Sequence, residues 1–202
     1  MNEEPKKSES PSEEDAILVR ACQGGDKAAF DKLVLRHKNR IFGLCFWLLG
    51  DYEEANDSAQ EIFIKVYRSL NKFRCESAFG TWLYRIAVNT CKNRRKSSEY
   101  RLKRRMVPLH NPGKDHGGGD SVEIRDDSPT PLNGLEQKER GRAIRKAVAS
   151  LHPEQKEVIA LHDIQGLSYD EIVTITGLNL GTVKSRIARA RVELREKLRS
   201  II

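Results

Sequence analysis

The sequence predicts an all-α protein made of two small helical domains joined by a flexible linker. Apolar residues recur every three or four positions through most of the chain, which is the period of an amphipathic helix. No stretch of any length alternates apolar and polar residues, so no strand is predicted. Residues 106–132 lack apolar periodicity and hold four of the seven prolines and a run of three glycines. The predicted boundaries are a disordered tail over 1–12, a first domain over 13–96, a linker over 97–132 and a second domain over 133–202.

The first domain is predicted to hold four helices with apolar stripes, over about residues 13–22, 26–49, 52–70 and 81–96. The glycines of QGGD end the first helix, and Gly50 ends the second. A non-helical piece, NKFRCESAFG, separates the third and fourth helices. The longest apolar run, IFGLCFWLL, has nine residues, which is too short to span a bilayer. It is therefore interpreted as a buried helix segment.

The second domain is also predicted to hold four helices, over about residues 135–151, 153–165, 168–176 and 180–200. Pro153 suits the first turn of a helix, and Gly166 suits a helix end. Ser168 and Glu171 form the S-x-x-E pattern of a capping box, in which each side chain satisfies an unpaired backbone amide. Gly177 closes the short helix that follows.

The last two helices have the arrangement of a helix-turn-helix: a short helix, a turn containing glycine and a longer basic helix. Apolar residues on the last helix follow helical spacing and are predicted to pack inward: Val183, Ile187, Ala190, Leu194 and Leu198. One outward patch remains in the first two turns, where a recognition helix meets base edges: Lys184, Ser185, Ala188 and Arg189. A solvated amphipathic helix would explain the charges, but neither the capped short helix nor the turn before it.

The charge of the chain favours a polyanionic partner. The net charge is +7, and residues 92–105 hold eight basic residues against one acidic residue. Each phosphate that Lys or Arg neutralises adds affinity through counterion release. Charge alone leaves open the alternative of a basic protein that binds no nucleic acid.

The sequence argues against several other kinds of site. The four cysteines are far apart, with no CxxC pair, and are interpreted as reduced thiols of a cytoplasmic protein. His110 and His116 lie in the polar linker and are expected to face solvent rather than a metal. The N-terminal segment lacks the apolar core of a signal peptide, so export is not indicated. Neither paired carboxylates nor a Ser-His-Asp set is recognisable, so no catalysis, metal or cofactor is predicted.

Two segments resemble the extracytoplasmic-function (group 4) sigma factors of the sigma-70 family. LHPEQKEVIALHDIQGLSYDEIVTITGLNLGTVKSRIARARVELREKL is similar to their region 4, and DYEEANDSAQEIFIKVYRSLNKFRCESAFGTWLYRIAVNTCKNRRK to their region 2. Order and spacing agree over most of the chain outside the tail and linker, and the likeness is closest to the envelope-stress type. The resemblance implies a dissociable promoter-specificity subunit of bacterial RNA polymerase, without catalytic chemistry of its own. Such a subunit works in the cytoplasm and does not insert into a membrane.

The resemblance also implies roles for residues of region 2. Core polymerase would be bound through its beta-prime coiled coil by Asp57, Gln60 and Glu61, while region 4 meets the beta flap. Ser58 departs from the family, which usually has an apolar residue there. The loop and fourth helix would capture an unstacked base of the minus-ten element and adjacent phosphates through Phe73, Arg74, Cys75, Glu76, Ser77, Asn89 and Lys92. Trp82 and Tyr84 are ambiguous, and packing between helices is the favoured role for both.

Region 4 would read the minus-thirty-five element as duplex DNA. The resemblance gives base contacts to Lys184, Ser185 and Arg189, and phosphate contacts to Thr182, Arg186 and Arg191. Ala188 replaces a larger residue found in many relatives, which removes one possible base contact. Family members are usually restrained by an anti-sigma factor, and such a partner is expected here by resemblance only.

Two other classes of protein share part of this pattern. A one-component or two-component regulator would carry the same helix-turn-helix behind a sensor or receiver domain, and the helical first domain resembles neither. An enzyme with a basic nucleic-acid-binding appendage would need a reactive cluster that the sequence does not show. Binding to core polymerase distinguishes all three classes.

Overall fold

The computed structural model describes residues 11–97, Tyr100 and residues 131–199. Within these ranges the secondary structure is helical and no strand is present, which confirms the predicted all-α class. None of the described helices is long and apolar enough to cross a bilayer. Most of the predicted tail and most of the predicted linker lie outside the described residues, as do His110 and His116.

The first unit contains the four predicted helices: α1 (Pro11–Gln23), α2 (Lys27–Leu49), α3 (Tyr52–Ser69) and α4 (Phe79–Lys96). A 3₁₀ turn, Leu70–Lys72, follows α3. The side chain of Asp26 accepts hydrogen bonds from two amides of the first turn of α2, and Gly50 ends that helix at φ 77°. Asp51 then caps α3 through the amide of Glu54. These adjacent caps reverse the chain sharply, so α2 and α3 pack side by side.

Tyr100 extends the first unit beyond its predicted boundary at residue 96. Its side chain is only 5% exposed, and its hydroxyl donates a hydrogen bond to the Leu49 carbonyl at 2.7 Å. The predicted linker over residues 97–132 therefore begins too early. An isolated aromatic residue in a basic run carries no periodic signal, so the sequence pattern gave no indication of this anchor.

The second unit contains α5 (Pro131–Ala149), α6 (Pro153–Ile159), α7 (Tyr169–Thr176) and α8 (Leu180–Leu198). A π-helical turn, Ala160–Ile164, continues α6. The capping box of Ser168 and Glu171 is present as predicted. Since α5 begins at Pro131, its first two residues fall in the segment predicted to be linker.

The two units pack against each other, although the sequence predicts two separate domains. α7 lies against α4, while α5, α6 and the π-helical turn contact α2. Buried apolar side chains form one continuous cluster from Val19 in α1 to Ala190 in α8. The helix-turn-helix is therefore held directly beside α4.

Candidate nucleic-acid interface

α8 has an apolar face that packs on the second unit and a polar face open to solvent. The predicted inward stripe is confirmed at Val183, Ile187 and Ala190, each at most 2% exposed. The stripe is only half-buried further along, at Leu194 and Leu198. The three residues predicted to contact bases are exposed on the other face: Lys184, Ser185 and Arg189.

Two helix caps and one hydrogen bond within α8 fix the turn that leads into this helix. Gly177, at φ 72°, ends α7 in the left-handed conformation that glycine adopts most readily. The Asn179 side chain accepts a hydrogen bond from the Thr182 amide at 2.7 Å and so starts α8. The Ser185 hydroxyl donates to the Thr182 carbonyl at 3.0 Å. The orientation of the first turn of α8 is thus set by local hydrogen bonds.

Two of the arginines predicted to contact phosphates are held by carboxylates within the second unit. Arg186 pairs with Glu154 at 2.8 Å. Arg191 makes a two-pronged contact with Asp163, at 2.5 and 3.2 Å. The hydrogen bonds that Arg191 donates to the Asp163 carboxylate raise the pKa of Arg191 above its ordinary value. The phosphate contact predicted for either arginine therefore requires exchange of its carboxylate partner.

The predicted minus-ten loop follows the 3₁₀ turn, and most of its polar members are exposed. Arg74, Cys75 and Glu76 face solvent, while Ser77 is half-buried. Cys75 has φ 56°, a left-handed conformation that is uncommon for a residue with a side chain. The loop therefore makes a sharp local bend at Cys75.

Phe73 is buried rather than open to an incoming base. Its ring is 9% exposed and stacks on Trp82 with a centroid distance of 4.7 Å and an interplanar angle of 30°. The Phe79 ring packs edge-on against the Phe73 ring. In this arrangement Phe73 supports Trp82, which is half-buried and presents the accessible part of the aromatic cluster. The favoured packing role is confirmed for Tyr84, which is 5% exposed between helices of the two units.

Sequence reasoning missed the residue that anchors this loop. The side-chain amide of Gln23 donates to the carbonyls of Leu70 at 2.9 Å and Phe73 at 2.8 Å. It joins the end of α1 to the start of the loop across about fifty residues of sequence. The glutamine lies in QGGD, where the glycines marked only a helix end.

Gln23→Ala is expected to lower the free energy of unfolding by about 1 kcal/mol, because two loop carbonyls lose their donor. Amide hydrogen exchange over residues 71–78 should accelerate more than exchange elsewhere in the first unit. Arg20→Ala, at an exposed position one turn earlier on α1, is the matched control. Equal loop exchange in the two variants would show that Gln23 does not anchor the loop.

Asn89 lies in an open groove of about 370 Å³ between α3 and α4. All the lining residues come from these two helices: Lys65, Arg68, Ser69, Ile86, Asn89, Thr90 and Asn93. Lys65 Nζ donates to Thr90 Oγ1 at 3.1 Å, which ties the helices together across the groove. Amide and cationic donors around an apolar floor suit the edge and face of a planar polar base. Of these seven lining residues, only Asn89 was predicted from the sequence to contact the minus-ten element.

The basic run predicted to hold DNA phosphates is partly engaged within the protein. Lys92 Nζ lies 2.9 Å from Glu157 Oε1 in the second unit, so the phosphate contact predicted for Lys92 requires exchange of this partner. Arg94 pairs with Glu54 at 2.6 Å. Four further basic residues of this run lie outside the described residues: Arg101, Lys103, Arg104 and Arg105.

The residues predicted to bind polymerase share one exposed face of α3. Asp57, Gln60 and Glu61 are all exposed, and Glu61 pairs with Lys65 one turn further on. Ile64 continues the same stripe and is 51% exposed. An exposed branched apolar side chain beside acidic and amide groups is suited to a protein contact. The helical spacing of positions 57, 60, 61 and 64 is the feature of the sequence that indicates that Ile64 shares this face.

Ser58 faces inward from the same helix and has an unsatisfied hydroxyl. The side chain is 1% exposed, and among the described residues Ser58 Oγ has no hydrogen-bond partner. A buried hydroxyl without a partner keeps its desolvation cost. An aliphatic side chain at this position would carry no such cost.

Ser58→Ala is expected to raise the free energy of unfolding by about 1 kcal/mol, because it removes a buried polar atom and gains helix propensity. Ser69→Ala, at the last residue of the same helix, instead loses the bond from Ser69 Oγ to the Lys65 carbonyl at 2.6 Å. Urea unfolding of both variants separates the two contributions. A Ser58 variant no more stable than the Ser69 variant would contradict the cost assigned to the buried hydroxyl.

Cys45 and Cys91, 46 residues apart in the sequence, meet in the core between α2 and α4. Their sulfur atoms lie 3.6 Å apart, and both side chains are at most 1% exposed. The hydrogen bond with Cys91, together with burial, raises the pKa of Cys45. All four cysteines are free thiols in the structure. Within the described ranges no group of His, Cys, Asp and Glu is arranged to hold a metal ion.

Comparison with known families matches both units. The model of Sigma-70 region 2 matches residues 33–100, and that of Sigma-70, region 4, matches residues 141–194. The ECF RNA polymerase sigma-E factor of Haemophilus influenzae is 39% identical over 191 residues, covering 93% of this chain and 97% of that protein. The RNA polymerase sigma-H factor of Pseudomonas aeruginosa is 37% identical over 190 residues, covering 94% of this chain and 96% of that protein.

Two solved structures share the fold. CnrH, solved in complex with the cytosolic domain of CnrY, superposes with a TM-score of 0.67 at 24% identity, covering 93% of this chain and 98% of CnrH. The sigma factor RpoE from Bartonella quintana, solved with the anti-sigma factor NepR, gives a TM-score of 0.63 at 23% identity, covering 84% of this chain and 96% of that one. At this identity the likeness establishes the fold and no more.

Proposed function

This chain belongs to the sigma-70 family, among the extracytoplasmic-function sigma factors, and on that premise we propose that it is a promoter-specificity subunit of bacterial RNA polymerase. It binds core enzyme, recognises the minus-ten and minus-thirty-five elements and promotes opening of the DNA. The observation that carries this proposal is the exposed face of α8, with Lys184, Ser185 and Arg189 on a capped helix-turn-helix. The chemistry of nucleotide addition belongs to the core enzyme.

Region 4 reads the minus-thirty-five element with the first half of α8. The exposed ammonium of Lys184 and guanidinium of Arg189 suit the acceptor edge of guanine in the major groove. Lys184 Nζ also lies 5.8 Å from the centre of the Tyr169 ring, which orients it along the groove face. Arg186 and Arg191 exchange their carboxylate partners for phosphates when DNA arrives, so their contribution to affinity is reduced by the pairs they lose.

Region 2 captures the minus-ten element on α3, α4 and the loop between them. An unstacked base enters the groove beside Asn89, whose amide offers both a donor and an acceptor. Trp82, which stacks on Phe73, provides a planar surface about two turns earlier on α4. Arg74 and the cations at the end of α4 hold the adjoining phosphates. Base recognition and strand separation are thus coupled, because the base is read only after it leaves the duplex.

Core polymerase docks on the exposed face of α3. Asp57, Gln60 and Glu61 offer charge and amide contacts to the basic side of a helical partner, the beta-prime coiled coil. Ile64 supplies the apolar centre of this contact. Region 4 contacts the beta flap, which places its helix-turn-helix upstream of region 2. This work takes place in the cytoplasm, and an anti-sigma factor is the expected regulatory partner on the strength of the family.

Purified chain and core polymerase test the proposal directly. The chain should co-purify with core enzyme, and run-off transcripts from genomic DNA should share two upstream sequence elements at fixed distances from their starts. Asp57→Arg should weaken co-purification, whereas Asp31→Arg, an exposed acid on α2, should not. A chain that binds DNA but not core enzyme would be a DNA-binding regulator, and the proposal would be wrong.

Asn89→Ala is expected to reduce promoter opening roughly tenfold, or about 1.4 kcal/mol, with near-normal core affinity. The amide loses both hydrogen bonds to the base edge, while Asn89 lies on α4 and none of the three residues predicted to bind core lines this groove. Permanganate reactivity of unpaired thymines measures opening. Asn39→Ala, an exposed asparagine on α2, is the control. Unchanged opening in the Asn89 variant would remove this residue from the base site.

A further inference from the structure

The π-helical turn Ala160–Ile164 carries two adjacent polar side chains that contact the helix-turn-helix, those of His162 and Asp163. The amide of Gln165 donates to the Ala160 carbonyl at 3.1 Å, five residues back, which is the hydrogen bond of a π-helix. Single π-helical turns next to α-helices occur frequently at functional sites. The contacts of this turn therefore bear on how the helix-turn-helix works.

His162 connects the π-helical turn to the first residue of α7. Its Nδ1 lies 2.8 Å from the Leu167 carbonyl oxygen, so Nδ1 carries a proton and donates it. Its ring contacts the Tyr169 ring with a centroid distance of 4.8 Å and an interplanar angle of 39°. Both residues are half-buried. The imidazole is thus fixed by the backbone at one end and restricts the Tyr169 ring at the other. His162 and Tyr169 together are called the aromatic shelf below.

The aromatic shelf faces one side of α8. Lys184 Nζ lies 5.8 Å from the centre of the Tyr169 ring, which is within the range of a cation–π interaction. Arg191 lies seven residues after Lys184 and so on the same side of the helix. The pKa of Arg191 is raised chiefly by its hydrogen bonds to Asp163, and Tyr169 adds a smaller contribution. Two separate observations therefore place Tyr169 beside the cations of α8.

The shelf limits the freedom of a side chain that is otherwise unrestrained. Lys184 is exposed, and a lysine ammonium on its flexible four-carbon stem samples many positions around a helix. Holding the ammonium over a ring face removes part of this freedom before DNA arrives, which lowers the entropic cost of a specific contact. A restrained donor also reaches fewer alternative acceptors, so it distinguishes more sharply between bases.

We propose that His162 and Tyr169 are positioning residues for the base contact of Lys184, so that part of the minus-thirty-five preference is set outside the recognition helix. Tyr169 holds the ammonium, and His162 holds the Tyr169 ring. Loss of either ring widens the set of bases that Lys184 accepts. The consequence for DNA rests on the proposed function, whereas the restraint of Lys184 in the free chain does not.

Nuclear magnetic resonance of the full chain tests the restraint directly. Protons above the face of an aromatic ring resonate upfield, so the Hε signal of Lys184 should lie upfield of the position usual for lysine. Lys184→Arg identifies the signal by removing it. Tyr169→Leu and His162→Ala should return it toward the usual position, whereas Tyr169→Phe keeps the ring face and should leave it upfield. A Lys184 signal at the usual position in the parent chain would overturn the restraint.

Promoter selection by the holoenzyme tests base discrimination. The chain and core polymerase are given promoters randomised over the minus-thirty-five element, and the bound fragments are sequenced. The position that Lys184 reads is the one whose preference disappears in Lys184→Ala. His162→Ala and Tyr169→Leu should each reduce the preference at that position roughly two- to fivefold, the equilibrium factor expected for one exposed cation–π contact. Tyr169→Phe should retain the parental preference.

A double-mutant cycle separates positioning from a general loss of stability. In the Lys184→Ala background, His162→Ala should cause no further loss at that position, because the ammonium that it positions is absent. A purely structural role would weaken binding to every element in both backgrounds. The matched control is His152→Ala, which removes an exposed imidazole at the start of α6 and should leave the base preferences unchanged.

The possible outcomes distinguish the parts of the inference. Parental base preferences in His162→Ala and Tyr169→Leu would overturn the positioning role. Equal losses at all positions of the element would also contradict it, because they would indicate a weakened helix-turn-helix rather than a misdirected lysine. If the chain failed to bind core polymerase, the proposed function would be wrong, but the Lys184 signal would still show whether the aromatic shelf restrains this side chain.

Discussion

Ile187→Ala should destabilise region 4 by about 2–5 kcal/mol, which is the cost of removing a large buried side chain and leaving a cavity. Ile187 is 2% exposed at the centre of the stripe by which α8 packs. Ile187 belongs to the buried cluster on which α8 packs, so the helix-turn-helix should unfold at a lower urea concentration. Urea unfolding followed by far-ultraviolet circular dichroism measures the effect.

Val192→Ala provides the control for this prediction. It lies on the same helix, is 53% exposed and loses two methyl groups from a solvated position. We expect a change within about 0.5 kcal/mol. If the two variants unfolded together, Ile187 would not be buried in solution and the orientation assigned to α8 would be wrong.

Arg189→Ala should weaken transcription from promoters that depend on the minus-thirty-five element, at a cost of about 1–3 kcal/mol if the guanidinium contacts a base. That cost corresponds to roughly 5- to 150-fold in affinity. The side chain is exposed on the reading face, whereas its neighbour Arg191 is paired with Asp163. Core binding should be unaffected, because the docking face lies on α3. Run-off transcription and co-purification with core enzyme measure the two properties separately.

The sequence of the upstream element separates the two roles that an arginine can have here. A base contact predicts a large loss on the matched element and little loss on a scrambled one. Equal losses on both would assign Arg189 to the phosphates. Arg195→Ala, an exposed arginine near the end of the same helix, controls for the loss of one positive charge.

Local features of the fold were predictable from the sequence because they depend on neighbours within a few residues. The capping box of Ser168 and Glu171, the glycine at 177 and the inward spacing of Val183 and Ile187 all act over three or four positions. Together they predicted the helix-turn-helix and the face that it exposes. The order of helices in the first unit followed from the same kind of signal.

The partners of charged side chains were not predictable, because they lie far away along the chain. Lys92 meets Glu157, 65 residues later, and Arg191 meets Asp163, 28 residues earlier. A basic run has the same pattern whether its charges meet phosphates or carboxylates. The packing of the two units depends on such pairs and on the shapes of two surfaces, neither of which has a periodicity.

Single anchoring residues were missed for a related reason. Tyr100 and Gln23 each fix a segment by hydrogen bonds to carbonyls about fifty positions away. Neither belongs to a repeating pattern, and each stands beside residues with a stronger local signal, a basic run and a pair of glycines. Only the three-dimensional structure shows which carbonyls accept hydrogen bonds from Tyr100 and Gln23.

The buried thiols of Cys45 and Cys91 allow the rate at which the core of the first unit opens to be measured. Because both are shielded between α2 and α4, an alkylating reagent reaches them only when these helices part. With reagent in excess, the rate of modification becomes the rate at which the core opens. Two of the four thiols should therefore be alkylated slowly. Mass spectrometry of this reaction would give the opening rate of the region 2 core, in the free chain or on the polymerase, without any added label.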